Sequence, residues 1–225
     1  MMRSDRSWTS GERFGRLAIM EATETKIRAE IASERRELAD ALDELTDQQW
    51  NSATLCSGWR AREVAAHMSM GFRYSFGRTA LELARAGGNL HKMTDRLARR
   101  DAAALSPREL AAALRDNAHH PWKPPVGGLE TALGHDVIHG LDISVALDLG
   151  RQVPEERLRI MLGTVSPRTL RFFGADLEDV ELRATDLDWS YGRGTQVVSR
   201  PAQELLLLAY GRKLPTGPLD SRPAR

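Results

Sequence analysis

The chain has 225 residues, one cysteine, and 32 lysines and arginines against 31 aspartates and glutamates, a formal net charge of +1. It is long enough to bury a core without a disulfide framework, and a single thiol, Cys56, excludes both an intrachain disulfide and a cysteine metal cluster. Balanced charge supplies no field for nucleic acid or an anionic membrane, so the expected partners are small molecules. Only four of the cations are lysine (Lys26, Lys92, Lys123 and Lys213), an arginine skew that fits a GC-rich bacterial genome. Residues 1–16 lack the apolar centre of a signal peptide, and the longest apolar run, Leu205 to Tyr210, falls far short of the roughly 20 residues of a membrane span, so a cytoplasmic protein is expected.

Residues 1–15 read as a flexible tail. Ile27, Ile31, Leu38, Leu42 and Leu45 then mark one apolar stripe on a long helix. A polar turn leads to Trp50 and to Thr54-Leu55-Cys56-Ser57-Gly58-Trp59, where both indoles are expected to pack the loop onto the helices. The pattern next predicts one helix from Ala61 to Ala86, with Val64, His67, Met68, Gly71 and Phe72 on its inner face. Gly87-Gly88 breaks it, and Asn89 caps a segment running to about Ala103. Ser106-Pro107-Arg108-Glu109 combines a capping serine, proline at the first helical position and glutamate at the third, which starts a helix to about Ala118. A rigid loop through Pro121, Pro124, Pro125, Gly127 and Gly128 precedes a helix from Leu129 to Leu149, with Leu133, Val137, Leu141 and Val145 spaced by four and Gly150 as its stop. After Pro154 a helix with a bend at Ser166-Pro167 ends at Gly174.

From there the period changes. Val180, Leu182 and Ala184, then Leu187, Trp189 and Tyr191, alternate with polar residues, and Gly192-Arg193-Gly194 turns the chain into Thr195 to Ser199. Two or three antiparallel strands are expected, followed by a helix from Pro201 to Gly211. The fold class is α+β, mainly α: a four-helix bundle over 16–150 and a small α+β domain with a short antiparallel sheet over 151–225.

His135 and His139 stand one helical turn apart, a spacing able to chelate one metal, and Asp142 shares their face, where a carboxylate fixes the tautomer of a ligand histidine. His67, on the apolar stripe of another helix, is the third candidate ligand. The bland alternative is that these histidines are hydrogen-bonded core residues. His91, His119 and His120 lie at helix ends, where solvent or the helix dipole accounts for them.

The stretch from Trp50 to His67, with T-L-C-S-G-W and R-E-V-A-A-H, resembles the N-terminal signature of the mycothiol-dependent maleylpyruvate isomerase family, a branch of the DinB-like metal-binding bundles. H-D-V-I-H-G-L-D at His135 to Asp142 resembles its second metal motif. L-R-A-T-D-L-D-W-S-Y-G from Leu182, with L-L-L-L-A-Y-G-R ending at Arg212, is similar to its small C-terminal domain. The resemblance implies a divalent metal, usually zinc, on His67, His135 and His139, with histidine at position 135 where the isomerase commonly has glutamate. It also implies mycothiol, the thiol of actinobacteria, as cosubstrate, and a catalytic or thiol-binding role for Arg212, for which a surface arginine ending a helix is the alternative.

In that family the mycothiol thiolate attacks a small electrophile, either adding reversibly to maleylpyruvate for cis–trans isomerisation or remaining in the product of an S-transferase. Three readings stay open: such an enzyme, a hydrolase using zinc-bound water in the same site, and a non-catalytic metal-binding bundle. Cys56 as a nucleophile is the weaker idea, since its turn offers no cationic setting. Neither the electrophile nor the oligomeric state is legible.

Overall fold

The computed structural model describes residues 10–124 and 127–214, with side chains from Ile19 onward. Its helices are α1 (Ser10–Asp43), α2 (Asp47–Trp50), α3 (Ala61–Arg73), α4 (Phe76–Arg85), α5 (Leu90–Ala104), α6 (Pro107–Asp116), α7 (Leu129–Ala146), α8 (Glu155–Leu162), α9 (Pro167–Phe173) and α10 (Ala202–Ala209). Its strands are β1 (Val180–Ala184), β2 (Ser190–Tyr191) and β3 (Gln196–Arg200). The architecture is α+β, mainly α. Helices α1 and α3 each pack against both α6 and α7, closing a four-membered ring, and α5 covers α3 from outside. None of the described helices is long and apolar enough to cross a membrane.

Two apolar clusters fill the interior. One joins Ile27 and Ile31 of α1, Leu133, Val137 and Leu141 of α7, Met161 of α8, Leu182 of β1 and Leu205 to Leu207 of α10. The other joins Leu38 and Leu42 of α1, Val64 and Met68 of α3, Leu97 of α5, Leu110 and Leu114 of α6, and Ile143 of α7. Helix α7 feeds both, which explains why it is apolar on nearly every side. The first cluster runs across position 151, so the C-terminal segment packs directly on α1 and α7. An ionic knot closes the same boundary. Arg157, only 3% exposed, meets Glu30 and Glu34 at 2.7 Å and Glu37 at 2.5 Å, and Arg151 meets Glu34 at 2.7 Å.

Several expected elements take a different form. Helix α1 is already formed at Ser10, which leaves 1–9 of the expected tail, like Pro125 of the loop, outside the described residues. It ends at Asp43, and Thr46 caps the short α2 through a reciprocal bond with Gln49. The helix expected over Ala61 to Ala86 is two helices. Tyr74 turns extended (φ −106°, ψ 127°) with its hydroxyl 2.6 Å from Asp101 Oδ2, and Ser75 caps α4 by accepting from the Arg78 N–H. At Ser166-Pro167 the chain likewise breaks instead of bending, because Ser166 accepts from the Thr169 N–H and starts α9.

The sheet is mixed, not antiparallel. Its order is β2-β1-β3, with β1 and β2 antiparallel and β1 and β3 parallel, Leu182 pairing with both Tyr191 and Val198. After β2 the chain passes over the start of β1 to reach its other edge. A Cβ on Gly194 would lie 1.9 Å from the Asp179 carbonyl carbon, and one on Gly192 (φ +89°) 2.3 Å from the Val180 oxygen. Only glycines permit that passage. Asp179 pins it by accepting from the Thr195 N–H at 2.9 Å and hydroxyl at 2.6 Å.

The hydrogen bond from Arg157 holds the Glu37 carboxyl below its ordinary value of 4.5 against the opposing effect of burial. A carboxyl depressed by folding stabilises above its unfolded pKa, and that stabilisation is lost as pH falls through the folded value. Urea unfolding is expected to show the wild type weakening below about pH 4.5. Arg157→Met should be about 3 kcal/mol less stable at pH 7 and flatter over the acid range.

Candidate metal centre

The inner stripe of α3 delivers His67, and one turn of α7 delivers His135 and His139. Their ring centroids form a nearly equilateral triangle: 5.0 Å from His67 to His135, 4.9 Å from His67 to His139 and 5.0 Å from His135 to His139. One nitrogen from each ring lies within 4.8 Å of the others, and the Nε2 atoms of His67 and His135 are 3.2 Å apart. Two nitrogens sharing one tetrahedral zinc at about 2.05 Å are separated by about 3.3 Å, so this pair already stands at ligand spacing. Three imidazoles also suit zinc by donor type. Burial, reinforced by the other two rings, drives the pKa of His67 well below 6.5, and burial lowers that of His139 despite the opposing pull of Asp142. Both rings are therefore neutral at pH 7, with lone pairs available.

Each histidine of α7 is backed by an aspartate and an arginine. The His139 Nδ1–H donates to Asp142 Oδ2 at 3.0 Å. Asp142, itself unexposed, accepts a two-pronged bond from Arg212, Nε to Oδ1 and Nη2 to Oδ2, both at 2.8 Å. Burial pushes the Asp142 carboxyl up, yet the bonds from Arg212 and His139 outweigh it and leave the pKa below its ordinary value. The remaining Arg212 nitrogen, Nη1, donates to the Tyr210 carbonyl at 3.0 Å. In the matching arrangement, His135 Nδ1 meets Asp136 Oδ1 at 2.9 Å, and Asp136 Oδ2 accepts from Arg35 Nε at 2.7 Å. The sequence pattern does not single out Asp136 or Arg35. The signal was a gap: the α1 stripe jumps seven residues from Ile31 to Leu38, and Arg35 occupies the vacant inward position.

Indole rings wall the triangle. Trp59 lies 5.0 Å from His67 and 6.4 Å from His139, anchored by its Nε1–H on Asp95 at 2.8 Å. Trp122, also absent from the expected site, lies 5.0 Å from His135. It fits because α3 has glycine opposite: a Cβ on Gly71 would fall 2.3 Å from the indole. Trp50 packs the turn into the core as expected. The other histidines stand apart. His91 and His119 are exposed, with His119 against Arg36, and His120 accepts from the Trp122 N–H at 3.1 Å.

Cys56 comes closer than its sequence context suggested. The Leu55 N–H donates to the Asp142 carbonyl at 3.0 Å, docking the turn on α7, and the Cys56 sulfur lies within 4.8 Å of ligand atoms of His139 and Asp142. Burial, with the Asp142 charge adding to it, pushes the Cys56 thiol up to about 11. Alkylation by iodoacetamide, followed by mass spectrometry, should be slow in the folded chain through pH 9 and rise toward pH 11. The urea-unfolded chain should react at about pH 8.5.

No curated protein matches the chain. It shares a fold with the crystal structure of a histidine-to-alanine mutant of the mycothiol-dependent maleylpyruvate isomerase. The alignment has a TM-score of 0.51 at 15% identity and covers 84% of this chain and 89% of that one. Residues 31–120, which contain His67 and the Trp59 wall, match the family model of the mycothiol maleylpyruvate isomerase N-terminal domain. Over this segment, 90 of the 225 residues, the chain is similar to that family.

Proposed function

We propose that this chain is a mycothiol-dependent enzyme with a divalent metal, zinc by donor type, on His67, His135 and His139. It would direct the mycothiol thiol at a small electrophile, as an S-transferase or a maleylpyruvate-type cis–trans isomerase. The observation that carries the reading is the convergence of three imidazole rings, two of them 3.2 Å apart at Nε2, in a chain whose residues 31–120 match this family's N-terminal domain. A divalent ion held there would supply the positive charge that lowers the pKa of an incoming thiol.

The rest of the work falls to the chain. Asp142 keeps the His139 Nδ1 proton and so turns Nε2 toward the other rings. Arg212 neutralises Asp142 with two of its nitrogens and is bound to a carbonyl by the third, which makes it a positioning residue in this reading. Trp59 and Trp122 shield the rings from water, and a low local dielectric strengthens every charge interaction near them. Cys56 stays protonated, so the attacking sulfur comes from the cosubstrate. The cytoplasmic setting and the division near residue 151 into a bundle and a smaller unit belong to the same proposal.

Purified chain loaded with zinc is expected to bind mycothiol in isothermal titration and to consume it with electrophiles from a panel that includes maleylpyruvate. Absence of thiol binding would refute the reading, and ester or amide hydrolysis without thiol would replace it with zinc-bound water chemistry. His139→Ala should fall from about one ion per chain to a small fraction of that, and thiol binding should fall with it.

A further inference from the structure

We infer that Arg35 and Asp136 form a positioning pair that holds His135 as its Nδ1–H tautomer and ties that ring to the segment carrying Trp122. The inference deepens the metal reading, which gives the tautomer its use, yet the tautomer is a property of the ion-free chain.

Both side chains are fully buried, and they meet at 2.7 Å across 101 residues of sequence. The two oxygens of Asp136 serve different partners: Oδ2 accepts from Arg35 Nε, and Oδ1 faces His135 Nδ1 at 2.9 Å. A carboxylate held by a guanidinium only accepts, so the proton in the second contact sits on the ring. His135 Nε2 is then bare. In the ion-free chain its 3.2 Å contact with His67 Nε2 takes its proton from His67, whose other nitrogen, Nδ1, is buried without a hydrogen-bond partner among the described residues. With no carboxylate fixing it, His67 is free to change tautomer when an ion arrives.

The other end of Arg35 faces the segment that follows α6. Nη1 donates to the carbonyls of His120 at 2.9 Å, Asn117 at 3.2 Å and Ala118 at 3.4 Å, just past the end of α6, and the guanidinium lies 4.5 Å from the Phe72 ring centre. Two residues beyond His120, Trp122 sets its indole against His135. Arg35 therefore fixes the ring twice, at Nδ1 through Asp136 and at its face through the segment that seats Trp122. Lysine at position 35 would keep the charge but lose the planar fork that serves both sides.

Asp136→Asn keeps the shape and reverses the polarity. Arg35 still claims an oxygen, so the amide NH2 turns to His135 Nδ1 and leaves the ring proton on Nε2, where it blocks coordination. Long-range proton–nitrogen NMR of the ion-free protein should give Nδ1–H for His135 in the wild type and Nε2–H in Asp136→Asn. Zinc affinity by chelator competition should fall 10- to 100-fold, with altered visible absorption of the cobalt-loaded form. In Arg35→Lys the Nδ1–H tautomer should persist while amide exchange at His120 speeds at least tenfold. An Nε2–H wild type overturns the inference, and that spectrum decides even where the variant does not fold. Unchanged tautomer and zinc affinity in Asp136→Asn, or unchanged exchange in Arg35→Lys, also overturn it. A wild type with the Nδ1–H ring that binds no zinc supports this inference and refutes the metal reading.

Discussion

Asp136 and Asp142 are carried by α7 into an interior that exposes neither to solvent, and each carboxylate is held by an arginine from a distant part of the chain. Stripping water from a carboxylate costs several kcal/mol, and only a well-aligned counter-charge offsets that cost. The demand organises the molecule. Helix α1 lies along one side of α7 with Arg35 at a position its apolar stripe would otherwise fill, and the C-terminal segment folds back so that Arg212 reaches the other side. Buried ion pairs of this kind contribute little net stability compared with apolar replacements. Their return is orientation, because both aspartates hold a histidine ring.

The caps and stripes of the long helices were legible because they depend on neighbours a few residues apart. Asn89 and Ser106 start α5 and α6 where their side-chain chemistry demands, and Leu133, Val137 and Leu141 are all buried. The break at Tyr74-Ser75 was hidden because one capping serine inside an otherwise periodic segment weighs less than the pattern around it. The parallel pairing of β3 was hidden for a deeper reason. Gly192 and Gly194 read as an ordinary turn, and only the three-dimensional path shows them crossing the start of β1.

The candidate site divides in the same way. The triangle of His67, His135 and His139 was legible from one-turn spacing and from a histidine on an apolar stripe, and Asp142 from its place three residues after His139. Arg35 left only a missing apolar residue, Asp136 lay beside a histidine instead of one turn away, and Trp122 sat in a proline-rich loop with no period to reveal its direction. Residues that act on the rings from other elements depend on how the helices dock, which local patterns do not encode. Cys56 is the converse case. Its sequence setting is a turn, as the pattern predicts, but the turn docks beside Asp142, and that carboxylate helps keep the sulfur protonated.

The separation of 70 positions between Asp142 and Arg212 also sets an order of events. Protein synthesis delivers α1, α3 and α7 well before the segment after α10, so a nascent chain holds all three histidines and Arg35 while Asp142 still lacks its counter-ion. Until the last helix docks, that carboxylate favours water over the interior, and His139 has no fixed partner to orient it. The order of the His139 ring is thus tied, through the Asp142–Arg212 pair, to the docking of the C-terminal segment.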